Sequence, residues 1–513
     1  MAYLLGMDVG TTGVKTLLIE ENGRLVASAV EEYPMYTPRP LWAEQDPHDW
    51  WQAAIRSVQR VLHTANIPPK EIAGLGLTGQ MHGMVMLDAK GQVLRPCIMW
   101  NDQRTAAQCE WIMNAVGRER FLELTLNPAL PGFTAPKIIW TRENEPEVYA
   151  RAAKVLLPKD YIRYKLTGTY ATEVSDASGT ALFDVANRRW SQEVLDELGI
   201  PFDWMPTCYE SPEVTGHITA EVANLTGLPA GLPVVGGAGD QAASAIGTGI
   251  VEPGLVSVTM GTSGVVFAYT DAPSRDPQGR LHTFCHAVPG KWHVMGVTLA
   301  AGGSFRWFRD TLGLCEREIA RLSGVDAYDI LTAEANQAPA GCEGLLFLPY
   351  LSGERTPYAD PNARGTFVGL TLRHTKRHLV RAVLEGVAYS LRDCLELFRD
   401  LAIPINQVRA VGGGARSQVW RQILADVFGT EIVTINVTDS TAYGAALLAG
   451  VGSGVYPGVP EACAATIRLI DRIEPQAAHE ALYSELYPIY RSLYHSLKPA
   501  FEAITAIEQE REA

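Results

Sequence analysis

Two short glycine-bounded turns carry the residues best suited to chemistry. The first is Gly10-Thr11-Thr12-Gly13, entered through Asp8; the second is Gly261-Thr262-Ser263-Gly264, about 250 residues later. Glycine at both ends removes the Cβ atoms that would hold a ligand off the backbone, and hydroxyls beside free N–H groups suit a phosphate. A lone carboxylate beside a phosphate repels it unless a divalent cation lies between them, so Asp8 points to Mg²⁺, held directly or through water. An ordinary hairpin with an acid at its edge has the same local pattern. In register, Thr259 falls opposite Asp8, so only the first copy carries the acid.

Three further groups of residues have chemical potential. Asp240 follows a glycine-rich strand end, Gly237-Ala238-Gly239, and either serves as general base for a hydroxyl or caps the small-residue helix behind it. Gln80-Met81-His82 is a polar break between two apolar runs, where a neutral histidine can both donate to and accept from a hydroxyl. Trp100-Asn101-Asp102 joins an aromatic face to hydrogen-bonding groups, the mixture that sugar sites use, although a strand end with a helix cap has the same composition. In the second half, Gly302 opens a helix bearing Arg306, and Gly412-Gly413-Gly414 ends a strand on bare backbone, where a flat base or ribose can lie. Gly74, Gly76 and Gly79 fit a dinucleotide pattern, but the glycines begin inside a strand and no helix follows to receive a pyrophosphate.

These residues need rigid elements behind them. Alternation predicts strands over 3–9 and 14–20 around the first turn, a third after Asn22-Gly23, and the same hairpin over 255–269. Asp46-Pro47-His48-Asp49 predicts a helix start, continued by Trp50, Ala53, Ala54, Val58, Val61 and Leu62 on one face. Ser440 is the expected cap of a small-residue helix over 441–450. Repetition at so long a distance implies two related domains rather than a solenoid. The expected division is 1–243, 244–475 and a C-terminal helix over 476–513, with a helical cap over about 127–202. Residues 174–180 either line the cleft or turn the chain. The tyrosine-bearing side of the last helix predicts a packing or dimer face.

At 513 residues the chain exceeds what one core usually supports. Its formal charge of −14 argues against a nucleic-acid surface but not against ATP, which needs only local donors and a metal. No apolar run reaches membrane-spanning length and no basic leader is seen, so a cytoplasmic protein is expected. The eight cysteines are scattered without metal-ligand spacing, which predicts reduced thiols.

The paired turns resemble the phosphate loops of the actin, hexokinase and heat-shock ATPase fold, which implies two such ribonuclease H-like α/β domains with the active site in the cleft between them. More specifically, the chain resembles the FGGY family of carbohydrate kinases over nearly its whole length. Besides the two turns, the match rests on Gly79-Gln80-Met81-His82-Gly83, Trp100-Asn101-Asp102, Pro131-Gly132-Phe133-Thr134-Ala135-Pro136-Lys137, Leu157-Pro158-Lys159-Asp160-Tyr161, Gly239-Asp240-Gln241, Ser352-Gly353-Glu354-Arg355-Thr356-Pro357 and Gly412-Gly413-Gly414-Ala415-Arg416-Ser417. Thr141 departs from the family's preference for an apolar residue. The resemblance implies ATP- and Mg²⁺-dependent phosphorylation of a ketopentose, D-xylulose, at its terminal hydroxyl, or of ribulose, another ketose or a polyol. It makes Asp240 the base and Asp8 the organiser of Mg²⁺ and the γ-phosphate. It gives Met81, His82, Trp100, Asn101, Asp240 and Gln241 to the sugar. To ATP it gives Gly10, Thr11, Thr12, Gly13, Gly261, Thr262, Ser263, Gly302, Arg306, Gly413, Gly414 and Gln418. A homodimer is an expectation of the family alone. A non-catalytic nucleotide switch of the same fold would need neither Asp240 nor the Gln80–His82 strand.

Overall fold

A computed structural model describes residues 2–512, built on two seven-stranded sheets. In the first, β1 (Tyr3–Val9), β2 (Gly13–Glu20) and β3 (Leu25–Glu32) form an antiparallel meander, and helix α1 (Pro47–Ala65) returns the chain to β4 (Ile72–Gly79), parallel to β1. With β5 (Val214–His217) and β6 (Pro233–Val235) the order is β5-β6-β4-β1-β2-β3, and Ala238–Gly239 pairs further along β4. The second sheet contains β7 (Gly254–Met260), β8 (Gly264–Thr270), β9 (His282–Cys285), β10 (Trp292–Thr298), β11 (Ile405–Val411), β12 (Ile432–Ile435) and β13 (Leu469–Ile473), in the order β9-β10-β8-β7-β11-β12-β13. The hairpin β7-β8 repeats β1-β2, and β11 lies parallel to β7 as β4 lies parallel to β1. The sequence repeat is therefore a repeat of position within a sheet.

Five helices besides α1 position the site or join the two halves: α2 (Asp240–Thr248), α3 (Gly302–Thr311), α4 (Lys376–Asp400), α5 (Ser440–Gly452) and α6 (Ala477–Glu512). Helix α1 starts as its residues require. The Asp46 side chain accepts from the His48 amide at 2.9 Å, Pro47 fills the first helical position, and Trp50, Ala53, Ala54, Val58 and Val61 are buried on the sheet. The expected division at 243/244 falls inside α2. Between residues 127 and 202, the helices Thr134–Asn144, Pro158–Thr167 and Val174–Ala177 alternate with two- and three-residue strands.

Helix α5 belongs to the second half of the chain but packs on β1 and β4 of the first sheet. The glycines of β4, which mimic a nucleotide fingerprint in the sequence, explain how. A Cβ built on Gly76 would collide with the Ala445 carbonyl oxygen, and one on Gly6 with the Ala442 carbonyl oxygen, so the helix lies directly on strand backbone. Helices α2 and α5 cross with equal intimacy: a Cβ on Gly444 would meet the Ala243 carbonyl oxygen and one on Gly247 the Ser440 carbonyl oxygen. Ser440, the expected cap of α5, is instead its first helical residue, and the cap position is Asp439. No side chain caps this helix, because the Asp439 carboxylate pairs with Lys15 of β2 and the Ser440 hydroxyl bonds Ser244 of α2 at 2.8 Å.

The tyrosine side of α6 is a packing face within the chain, which leaves it no free surface for a dimer. Tyr483 donates to Glu385 and Tyr487 to Asp393, both on α4 and both at 2.6 Å, while Tyr494 donates to Asp360 at 2.8 Å. Thr141, the departure from the family pattern, is buried and donates to the Lys137 carbonyl at 2.9 Å, so its hydroxyl is satisfied within its own helix. The eight cysteines are free thiols. Among the described residues no helix is long and apolar enough to cross a membrane.

The contact between α5 and the first sheet is directly testable. Gly76→Ala forces two backbones apart and is expected to cost about 3 kcal/mol in urea unfolding, at the upper end for overpacking. Gly413→Ala, where an added Cβ meets nothing within 4 Å, is expected to stay within about 0.5 kcal/mol of the parent protein. Equal stability of the two variants would refute the close-packing account.

Candidate active site

The parallel ladder places the two acids. Asp8, next to last in β1, pairs with Thr78 of β4, and Thr78 pairs on its other side with Ala238. Two residues past Ala238 the chain enters α2 with Asp240 as its first helical residue. Both carboxylates thus stand at the same end of two strands that flank β4 and run parallel to it, the edge at which open α/β sheets collect ligands. Gly239 occupies the cap position and no side chain caps α2, so Asp240 is not a capping residue and its carboxylate is left for other work.

The two acids share one electrostatic environment. Burial, reinforced by the charge of Asp240 and opposed by Lys15, pushes the Asp8 carboxyl up to about 7. Burial pushes Asp240 up to about 6, and hydrogen bonds from the Gln241 main chain and side chain oppose the rise. The Asp8 Oδ1 atom is buried and has no hydrogen-bond partner among the described residues. That orphaned oxygen beside a phosphate turn fits Mg²⁺, which takes one or two protein carboxylates and completes its octahedron with water and phosphate oxygens. No group of three or more metal-binding side chains among the described residues forms an all-protein cage.

Past the end of β4, His82 takes a left-handed backbone conformation, with φ of 68°, an uncommon choice for a residue with a side chain. Its carbonyl holds that geometry by accepting from Lys137 Nζ at 2.8 Å and Thr134 Oγ1 at 3.1 Å, while Lys137 also donates to the Gly132 carbonyl at 2.7 Å. Lys137 is fully buried with only carbonyl partners, and burial pushes its ammonium down to about 7. The His82 ring stacks on Phe133 at 4.6 Å, and its Nδ1 lies 2.7 Å from the Gly179 carbonyl. A carbonyl only accepts, so Nδ1 carries the proton and Nε2 keeps a lone pair for a hydroxyl. Burial, with the Lys137 charge second, pushes the imidazole down to about 3, so it is neutral. Met81 is buried against Gly239, where an added Cβ would sit 3.0 Å from its side chain.

Residues 174–180, whose role the sequence leaves open, support this site. Gly179 anchors His82, and Ser175 Oγ accepts from the Gly239 amide at 3.0 Å, just before Asp240. Trp100 donates from Nε1 to Thr11 Oγ1 at 3.0 Å, so its indole braces the first turn. Asn101 lies beside it with its Oδ1 buried and unpartnered among the described residues.

A cavity of about 480 Å³ opens on the second sheet, lined by Gly261, Thr262, Gly302, Arg306, Gly413 and Gly414 of the expected nucleotide residues. Gln418 and Ser263 do not line it. The amides of Gly302 and Gly303 donate to the carbonyls of Gly261 and Thr262, so the start of α3 holds the second turn rather than offering those N–H groups to a ligand. Sequence reasoning missed Phe305, Tyr328, Asp329 and Trp420, which also line the cavity. Their only signal was helical spacing, which reads as core.

The N-terminal domain of the FGGY family of carbohydrate kinases matches residues 3–247, and the C-terminal domain of that family matches residues 256–453. A xylulose kinase of Escherichia coli is 41% identical over 496 residues, covering 96% of this chain and 99% of its own. A gluconokinase of Bacillus subtilis is 35% identical over 508 residues, covering 98% of both chains. The crystal structure of xylulose kinase from Rhodospirillum rubrum superposes with a TM-score of 0.89 at 34% identity, covering 98% of this chain and all of the other.

The raised acids carry a stability signature. Asp8 titrates near 3.8 when unperturbed and near 7 in the fold. Between those values the folded protein holds a proton that the unfolded chain has lost. The stability this gives is full below the unfolded value and is lost as pH rises through about 7. Asp8→Asn is therefore expected to raise ligand-free stability by about 2 kcal/mol at pH 8 and to leave it nearly unchanged at pH 4. Urea unfolding at the two pH values checks this, and equal shifts at both would contradict it.

Proposed function

The chain belongs to the FGGY family of carbohydrate kinases, and on that premise we propose that it transfers the γ-phosphoryl of ATP to the terminal O5 hydroxyl of D-xylulose. The observation that carries the reading is the meeting of Asp8 and Asp240 at one sheet edge, where β1 runs into the Gly10–Gly13 turn and β4 runs on toward His82. The likeness to xylulose kinases over nearly the full chain supports the choice of sugar.

The sugar lies against Met81, His82, Trp100, Asn101 and Gln241, and ATP lies on the second sheet between the Gly261–Gly264 turn and Gly413-Gly414. His82 Nε2 accepts from a sugar hydroxyl. Asp240 takes the O5 proton as O5 bonds to the γ-phosphorus, the bond from phosphorus to the bridging oxygen breaks, and ADP leaves. A carboxylate near 6 is ionised at neutral pH yet basic enough to accept that proton. Asp8 would hold Mg²⁺ directly or through water, and the bound ion supplies neutralisation of charge on the transferred phosphoryl. The Thr11 and Thr12 amides face the same group, and closing the two halves excludes water and aligns the reacting atoms.

Coupled ADP release with MgATP tests the reading against D-xylulose, D-ribulose, D-gluconate, glycerol and xylitol. D-xylulose is expected to lead in kcat/KM by about tenfold or more; gluconate is the comparator of most interest, because a gluconokinase is among the relatives. Another sugar in the lead would overturn the substrate and leave the kinase. Asp240→Asn is expected to lose roughly 10²–10⁴ in kcat while still binding ATP. The parent enzyme's kcat/KM should fall about tenfold per pH unit below the Asp240 value near 6. Near-parental turnover in the variant would remove Asp240 as the base.

A further inference from the structure

The two phosphate turns are built alike but held differently. In the second, main-chain amides do the holding: Gly302 donates to the Gly261 carbonyl at 2.8 Å, and Ala301 and Gly303 donate to the Thr262 carbonyl at 3.0 and 2.9 Å. No helix follows the first turn. Its three carbonyls are held from the β3 side and by one buried side chain. The Tyr33 hydroxyl donates to Gly10, the Tyr33 amide to Thr12 at 3.3 Å, and Gln45 Nε2 to Thr11 at 2.7 Å. With the carbonyls engaged in this way, the amides of Thr11 and Thr12 have no acceptor among the described residues.

Gln45 is the unusual member of this set. It is fully buried on the short strand Glu44–Gln45, which pairs with Cys97–Ile98 and so cannot shift. Its Nε2 also reaches the Pro34 carbonyl at 3.4 Å, and its Oε1 accepts from Trp50 Nε1 and Gln80 Nε2, each at 3.0 Å. The flipped amide would set oxygen against the Thr11 carbonyl and NH₂ against the indole N–H, so the network allows one orientation. One amide therefore joins the phosphate turn, the core of α1, and the residue that precedes Met81 and His82.

We propose that Gln45, seconded by Tyr33, is a positioning residue for phosphoryl transfer: by holding the Thr11 carbonyl it aims the Thr12 amide of the same planar peptide at the γ-phosphoryl, as the Tyr33 hydroxyl, by holding the Gly10 carbonyl, aims the Thr11 amide. Through Gln80, Gln45 sets that turn in register with the sugar-contacting strand. The physical basis is electrostatic preorganisation. A peptide that turns its carbonyl toward the phosphate instead of its N–H replaces attraction by repulsion at the reacting group, and only a fixed turn avoids reorganisation during the reaction. This inference rests on the kinase reading.

Gln45→Glu is the decisive variant. It keeps an acceptor for Trp50 and Gln80 and removes the donor to Thr11. The expected result is a kcat lower by about 10- to 100-fold, with the KM for sugar within about threefold. Affinity for the Mg²⁺ complex of the β,γ-imido ATP analogue should fall about tenfold or more, while affinity for MgADP, which lacks the γ-phosphoryl, stays within about threefold. Tyr33→Phe, which loses only a hydroxyl, should move the same quantities in the same direction, and it decides the matter should Gln45→Glu fail to fold. A folded variant with kcat within about threefold of the parent, or an equal loss of affinity for both nucleotides, would overturn the proposal, because a purely structural defect does not single out the γ-phosphoryl. The nucleotide measurements need no sugar turnover. A parent enzyme that phosphorylates no sugar would therefore sink the kinase reading and leave the positioning of the turn to be judged on binding alone.

Discussion

The structure depends on a contact between bare backbones. Helix α5 lies on β1 and β4 where Gly6 and Gly76 leave no side chain between them, and α2 crosses α5 where Gly247 and Gly444 do the same. Asp240 opens α2, and Asp8 stands near the end of β1. The ladder through β4 sets the two acids at one end of the sheet, and the glycine-lined approaches hold α5 on that ladder and α2 on α5 with no side chain between them. The same crossing joins the halves of the protein. The two helices touch there along small residues, Ala243, Gly247, Ser440 and Gly444.

Around that frame the site stores unfavourable electrostatics. Asp8 and Asp240 are pushed up by burial and, in Asp8, by the neighbouring acid, while His82 and the buried Lys137 are pushed toward their neutral forms. None of these states helps the ligand-free fold, and a cation held by Asp8 would relieve the first. Beside them stands a second buried charge cluster. Lys159 pairs with Asp160, Glu173 and Asp176 at 2.8 to 3.3 Å in a fully buried cluster, and Ser175 within it accepts from the Gly239 amide.

Duplication explains the architecture and its asymmetry explains the chemistry. The hairpin, the parallel neighbour and the glycine turn recur in both sheets. The second copy has Thr259 where the first has Asp8, and a helix start where the first has Gln45 and Tyr33. One copy of the turn therefore stands beside a candidate general base and a candidate cation ligand, and the other lines an open cavity.

Much of this was legible in the chain. Turn residues, the alternation around them and the repeat spacing are local properties, so the two hairpins, α1 with its Asp46 cap and the two-domain class follow from residue type and order. The acids at Asp8 and Asp240 were legible as candidates for the same reason. Other features depended on partners distant in sequence. The glycines of β4 carry no sign that a helix some 370 residues later will lie on them. Ser440 matched a cap by type, but a salt bridge from Lys15 drew Asp439 into the cap position. The tyrosines of α6 read as a packing or dimer face, and the choice between the two was closed to the sequence because the carboxylates of α4 that bind them lie about a hundred residues away. Residue type and local spacing determined which groups could act. Tertiary contact decided which of them face one another, because burial and hydrogen-bond partners are properties of neighbours in space.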